Sequence, residues 1–144
     1  MQFKSCWLLI IALLLAACDS GPVSEGPGFE NAWIRAIPPG VKMTAGFGTF
    51  QNPGSEALQI ESFSSPSFAD VSLHRTEIVD GVSKMREVPE LSIEAGSSVV
   101  LEPGGYHLML MMPIGDIQPG QVVTINMTAS DGRSFSFELP VVRR

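Results

Sequence analysis

The stretch Tyr106–Met111, YHLMLM, alternates strictly between two kinds of side chain. Because successive side chains of a β-strand point to opposite faces of a sheet, its tyrosine and two leucines share one face. His107, Met109 and Met111 share the other. The pattern predicts a strand whose leucines fill the core, while the histidine and the methionines face outward or into a crevice.

The chain around this strand repeats the same kind of pattern from about Glu30 onward. Short apolar or alternating runs are separated by Gly, Pro and Asx-Gly turn signals, and no helical pattern of about ten residues occurs. This organisation predicts an all-β antiparallel sandwich or Greek-key barrel. We expect strands at Ala32–Ile37, Ala45–Gln51, Leu58–Phe63, Asp70–Val79, Val82–Val88, Ser98–Glu102, Tyr106–Met111, Val122–Ala129 and Ser134–Val142.

The dipeptide Asp80-Gly81 is a strong signal for a two-residue hairpin with a type I′ turn. A loop of these two residues pairs Thr76 with Met85 across the hairpin. Directly opposite residues share a face, so Met85 becomes the diagonal neighbour of His74, within reach of a long side chain. The register therefore predicts a second His/Met pair on one face of a hairpin.

Length and charge restrict the function classes. The chain has 144 residues, which fits one domain with attachments. Its 15 acidic and 9 basic side chains give a formal net charge of -6, and no basic cluster is present. Nucleic acid is therefore not expected as a partner.

The first 17 residues have the features of a secretory signal peptide. Lys4 supplies the positive region, and the apolar or small-residue run Cys6–Ala17 is shorter than the ~20 residues that a membrane-spanning helix needs. The end of the run, Leu15–Cys18, resembles the lipobox of bacterial lipoproteins, in which cleavage leaves the cysteine lipidated. A plain signal peptide with an incidental cysteine is the alternative.

We therefore divide the chain into a lipoprotein signal peptide (1–17), a lipidated Cys18 with a flexible tether (18–29) and a β domain (30–144). Acyl chains on Cys18 would anchor the protein to a membrane without a spanning helix. The expected location is the bacterial cell envelope, on the periplasmic face of a membrane. Asp19 resembles the inner-membrane retention signal of enteric bacteria.

Removal of the signal peptide leaves Cys18, the proposed lipid site, as the only cysteine. The mature domain then has no thiol for a disulfide, a thiolate zinc site, an iron–sulfur cluster or a cysteine nucleophile. A blue-copper electron-transfer site is excluded for the same reason, because it needs a Cys thiolate with two histidines.

The two His/Met pairs form a plausible site for one soft metal ion, with His74, Met85, His107 and Met109 as candidate ligands. Thioether sulfur is a soft, neutral donor that suits Cu(I) and is poor for zinc, magnesium or calcium. It also offers no thiol that an oxidising compartment could trap as a disulfide. This chemistry indicates an extracytoplasmic copper carrier and not an enzyme.

The same methionines and histidines also have interpretations that involve no metal. Methionine often fills gaps in cores, and a single strand histidine is more often structural than a ligand. We interpret Met43, Met112 and Met127 as ordinary packing residues and leave Met111 open. If the candidate His and Met residues are incidental, the protein is a non-enzymatic β-sandwich lipoprotein, such as an assembly, adhesion or copper storage module.

Two catalytic or metal alternatives use the same histidines. A zinc site of both histidines with Glu77 or Glu87 would leave the methionines unexplained. A hydrolase built from His74, Asp70 and Ser72 lacks a Gly-x-Ser-x-Gly elbow, and such residues fall close together by chance.

The spacing of the four candidates is His-x10-Met-x21-His-x-Met. This arrangement resembles the signature of the PCuAC family of periplasmic copper chaperones. The flanks agree, with Trp33–Ala36 followed by Pro38–Gly40, and with Pro103–Tyr106 before the second histidine. The resemblance covers about residues 30–142.

The resemblance implies a cupredoxin-like β-barrel with one surface-exposed Cu(I), held by His74, Met85, His107 and Met109. It also implies delivery of copper toward the CuA centre of cytochrome c oxidase, often alongside Sco-type thiol proteins. The sequence departs from some members of the family. Arg75 stands where they have a second methionine, and its last residues are not a His/Met-rich tail.

Overall fold

A computed structural model describes residues 26–144 of the chain. The predicted signal peptide, Cys18 and most of the tether lie outside the described residues. Within them, no helix is long and apolar enough to cross a membrane. The fold consists of ten strands: β1 (Gly28–Arg35), β2 (Met43–Asn52), β3 (Leu58–Ser64), β4 (Phe68–Val79), β5 (Val82–Glu87), β6 (Leu91–Ile93), β7 (Ser97–Leu101), β8 (Tyr106–Pro113), β9 (Val122–Ala129) and β10 (Ser134–Val142).

The strands form one mixed sheet in the order β5-β4-β8-β7-β2-β1-β10-β9-β3-β6, with β8 also paired to β2. Contacts of β3 with β4, and of β6 with β2 and β7, fold this sheet onto itself around a single core. The all-β prediction is confirmed. The purely antiparallel arrangement is wrong for two pairs, β1 with β10 and β7 with β8, which run parallel. The first pair joins the two ends of the domain. Strands β2 to β9 together form the long connection that two parallel strands require.

All nine predicted strands are present, with boundaries shifted by a few residues. The short strand β6 was not predicted. The first strand begins at Gly28, within the stretch predicted as tether, because Phe29 packs against the core. Its ring stacks on Phe50 with the ring centroids 3.8 Å apart.

The core lies between the two halves of the folded sheet. Leu108 and Leu110 of β8 are fully buried, as their alternation predicts. The other core residues include Ile34, Phe50, Leu58, Ile60, Leu73, Leu101, Ile125, Met127 and Leu139. The leucine face of β8 therefore fixes the strand in the core, and its opposite face is free for the histidine and the methionines.

The β4–β5 hairpin has the predicted turn and the predicted register. Asp80 and Gly81 both have positive φ angles, 54° and 75°, as a type I′ turn requires. Thr76 is directly opposite Met85. The hairpin therefore places Met85 on the same face of the sheet as His74.

Candidate metal centre

The two histidines lie directly opposite each other on the paired strands β4 and β8. His74 is the register partner of His107, and Ser72 is the partner of Met109. The imidazole rings are stacked, with centroids 6.1 Å apart and an interplanar angle of 28°. The sequence predicted that each histidine lies with a methionine, and the pairing of β4 with β8 brings the two pairs onto one surface.

Three of the four candidate ligands line one open cleft of about 280 Å³. The cleft lies between the hairpin, the outer face of β8 and the segment that joins β1 to β2. His74 does not line the cleft, but its ring stacks on the ring of His107, which does. The lining residues are Arg35, Ala36, Pro38, Val41, Met43, Thr44, Ala45, Met85, His107 and Met109.

The candidate ligands differ in their exposure. His107 is buried, at 5% of its accessible surface, whereas Met85 is 52% exposed. Met109 is half-buried. The cleft thus has a fixed imidazole at its base and a flexible thioether at its rim.

A hydrogen bond fixes the tautomer of His107 that is suited to binding a metal. Its Nδ1 lies 3.1 Å from the carbonyl oxygen of Gly105, which can only accept, so Nδ1–H donates to it. The lone pair of Nε2 is then free for a metal ion, in the manner of metal-binding histidines whose other nitrogen donates to a carbonyl.

The surroundings of His107 favour its neutral form. Burial removes water from the ring and lowers its pKa below 6.5, and the Gly105 hydrogen bond opposes this effect in part. The positive charges of His74, when protonated, and of Arg35 lower the pKa further. A neutral imidazole is the form that binds metal.

The other histidine also has a hydrogen-bond partner. Nε2 of His74 lies 3.0 Å from the hydroxyl oxygen of Ser72, two residues away on the same face of β4. This contact orients the ring, and Nδ1 has no hydrogen-bond partner among residues 26–144. In the tautomer in which Nε2–H donates to Ser72, the lone pair of Nδ1 is available to a metal ion.

Arg75 and Met111 both lie away from the cleft. Arg75 lies on the opposite face of β4 from His74, where its guanidinium lies 5.1 Å from the centroid of the Tyr106 ring. It is also 3.3 Å from the Glu77 carboxylate. Met111 is half-buried farther along β8 and does not line the cleft.

Met43 is placed differently from the prediction. We interpreted it as a packing residue, but it is 50% exposed and lines the cleft beside Met109. The missed signal is its pairing with Met111, which follows from the non-local pairing of β2 with β8. Met112 is also exposed, at 54%, whereas Met127 is fully buried as expected.

The zinc alternative has no support in the described part of the chain. No group of three or more His, Cys, Asp or Glu side chains converges there to hold a metal. A zinc site of two histidines and a glutamate is thus not formed in residues 26–144. A larger cleft of about 930 Å³ on the other side of the β1–β2 segment is lined by neither histidine nor methionine.

Comparison with known proteins places the chain in a family. Residues 28–141 match the model of the LpqE-like family, which is described as a family of lipoproteins. The chain belongs to the LpqE-like family. This LpqE-like chain is 32% identical to Lxx21020 of Leifsonia xyli subsp. xyli (strain CTCB07), which is named as a lipoprotein. The match extends over 132 residues, 91% of this chain and 78% of the relative.

The LpqE-like chain also shares its fold with PCuAC domains. The copper-bound PCuAC domain from PmoF2 superposes with a TM-score of 0.67 at 16% identity, over 82% of this chain and 93% of that one. The Cu(I) form of DR1885 from Deinococcus radiodurans superposes with a TM-score of 0.65 at 28% identity, over 90% of this chain and 84% of that one. The fold is therefore cupredoxin-like, and the resemblance to the PCuAC family is confirmed.

Proposed function

We propose that this LpqE-like protein is an extracytoplasmic copper chaperone that holds one Cu(I) through His74, Met85, His107 and Met109. The observation that carries the proposal is the donor set of one cleft: a buried imidazole whose Nδ1–H is bonded to Gly105, beside the thioethers of Met85 and Met109. Neutral, soft donors of this kind suit Cu(I) and are poor ligands for hard divalent cations.

The arrangement favours release of the ion as well as binding. His107 is held by the core strand β8 and by its hydrogen bond to Gly105, so it forms a rigid part of the site. Met85 lies on the edge strand β5 and is half exposed, so a partner can reach the metal on that side. A thioether binds more weakly than a thiolate, and its displacement by an incoming thiolate leaves no charged group behind.

Two relatives support the same assignment. DR1885, 28% identical to this chain, has been solved in a Cu(I) form, and the PCuAC domain of PmoF2 has been solved with copper bound. The lipoprotein description of the family fits an anchor at Cys18, which would hold the domain at a membrane of the cell envelope. Asp19 would favour the inner membrane.

The proposed recipient is the CuA centre of cytochrome c oxidase, reached directly or through a Sco-type thiol protein. In this function the protein is a carrier and not an enzyme, because copper leaves in the same oxidation state in which it arrived. No catalytic residue is assigned.

The test is a transfer assay under anaerobic conditions. Residues 26–144 are loaded with one Cu(I) and mixed with the soluble apo CuA domain of an oxidase, with or without a Sco-type protein. Appearance of the purple mixed-valence CuA spectrum after oxidation is the expected result. The His107→Asn/Met109→Leu variant, which we expect not to load, is the matched control.

Two other outcomes would contradict parts of the proposal. Tight binding with no transfer to either acceptor would indicate copper storage instead of delivery. No binding above the level of the variant would leave an assembly or adhesion lipoprotein with incidental His and Met residues.

A further inference from the structure

The cleft contains one more soft donor than the proposed ligand set uses. Met43 begins β2, directly opposite Met111, and two residues later Ala45 is opposite Met109. Met43 is therefore the diagonal neighbour of Met109 on the same face of the sheet. Diagonal side chains are about 7–8 Å apart at their Cα atoms, which a methionine can bridge.

Met43 and Met85 stand at opposite sides of the imidazole pair. In the order of strands β5, β4, β8 and β2, Met85 lies on the first and Met43 on the last, with His74 and His107 between them. The two methionines have nearly equal exposure, 50% and 52%. Each lines the cleft and is accessible enough to meet an incoming molecule.

A packing role does not account for Met43. Met43 is half exposed, so it contributes less buried apolar area than a core methionine does. Its chain neighbours in the cleft lining, Thr44 and Ala45, are small. The side chain instead lines the same space as Met85, His107 and Met109. Its sulfur has the same chemistry as the two methionines already assigned to the metal.

We propose that Met43 is a fifth donor for the copper ion, a third and exchangeable thioether that replaces Met85 when that side chain moves to admit a partner. The inference rests on the proposed function. In the exchange, one neutral sulfur lone pair forms a bond to Cu(I) as another leaves. The charge and the oxidation state of the ion are unchanged, and no proton is transferred. Copper therefore keeps His74, His107 and Met109 throughout, and Met43 provides a second exit on the side of the cleft lined by Pro38 and Val41.

The first test compares the same substitution in two backgrounds. Met43→Leu conserves side-chain volume, and Met112→Leu is the matched control because Met112 is equally exposed but lies outside the cleft. Affinity for Cu(I) is measured anaerobically by competition with a chromophoric chelator. We expect Met43→Leu to weaken binding about threefold alone and about thirtyfold in a Met85→Leu background. This tenfold difference corresponds to a coupling of about 1.4 kcal/mol, within the range for residues that share a partner.

The second test uses the unsubstituted protein and does not depend on the folding of a variant. Methionine methyl groups labelled with carbon-13 are followed by NMR during titration with Cu(I). We expect the methyl signals of Met85, Met109 and Met43 to move in proportion to bound copper, and that of Met112 to stay in place.

The outcomes separate the inference from the function on which it rests. Equal costs of Met43→Leu in both backgrounds, with a stationary Met43 methyl signal while Met85 and Met109 move, would overturn the inference alone. Cu(I) that moves none of these signals would overturn the proposed function. An equal cost for Met112→Leu would also overturn the inference, since exposure and not position in the cleft would then explain the effect.

Discussion

Acidification is the perturbation for which the structure makes the sharpest prediction, because it protonates a buried histidine whose surroundings are known. His107 has a lowered pKa, chiefly because burial penalises the imidazolium. The unfolded chain has the ordinary value of 6.5. Above pH 6.5 the ring is neutral in both states and contributes nothing to the pH dependence of stability.

Below pH 6.5 the unfolded state binds a proton that the folded state does not. The free energy of unfolding of the metal-free protein should therefore fall as the pH drops from 6.5 to the lowered pKa of His107, and level off below it. The slope from this ring is at most about 1.4 kcal/mol per pH unit. Urea unfolding of residues 26–144 at a series of pH values measures it.

Copper affinity should also fall on acidification, because His107 is a proposed ligand and must be neutral to bind the metal. Protons compete with Cu(I) for Nε2 of His107 only below its lowered pKa, so this ligand keeps its contribution at pH values where a free imidazole begins to lose it. Below that point its contribution falls by up to about tenfold per pH unit. Chelator competition between pH 8 and pH 5 gives the affinity.

NMR titration of the imidazole C–H signals gives the pKa of His107 directly. The chain has 2 histidines, so a His74→Gln variant assigns both signals. A pKa of His107 at or above 6.5 in the metal-free protein would refute the reasoning from burial. A copper affinity that does not fall once the pH is below the measured pKa of His107 would contradict ligation by this imidazole.

Three further substitutions test single contacts. Ser72→Ala removes the hydroxyl beside Nε2 of His74 and should lower Cu(I) affinity about tenfold, as loss of a ligand-orienting contact does, while unfolding by urea stays unchanged. Asn52→Ala should lower the free energy of unfolding by about 3 kcal/mol. The buried side-chain amide donates to the carbonyls of Glu56, Ile93 and Glu94 and accepts from the N–H of Gly54. An unchanged urea midpoint would contradict this. Gly48→Ala should cost about 2–3 kcal/mol, seen as a lower Tm, because φ is +148° and a Cβ would lie 2.7 Å from the Phe29 ring. An unaltered Tm would show that β1 moves to make room for the methyl group without loss of stability.

The local features of the site could be predicted from the sequence because they depend on short-range rules. The alternation in Tyr106–Met111 determines which side chains of β8 are buried, since the leucines leave only one possible core face. Asp80-Gly81 determines the register of the hairpin, because a two-residue type I′ loop leaves no freedom in the pairing. The relation of Met85 to His74 follows directly.

The non-local features could not be predicted in the same way. The direct pairing of His74 with His107 joins strands that lie far apart in sequence, and no local pattern specifies which strands are neighbours. The same holds for β2 and β8, whose pairing brings Met43 into the cleft. The strand Leu91–Ile93 was missed because three residues are too few for alternation to stand out.

The most direct test of the central claim is an anaerobic Cu(I) titration of residues 26–144 against a chromophoric chelator, beside the His107→Asn/Met109→Leu variant. Asparagine retains a donor near the position of Nδ1 and removes Nε2, so the variant should stay folded, which circular dichroism checks. We expect one tight equivalent of Cu(I), weakened at least about 100-fold in the variant, since even the loss of a contact that only orients a ligand costs about 10–100-fold. Equal binding by both proteins would contradict it, because the His/Met cleft would then not be where copper is held.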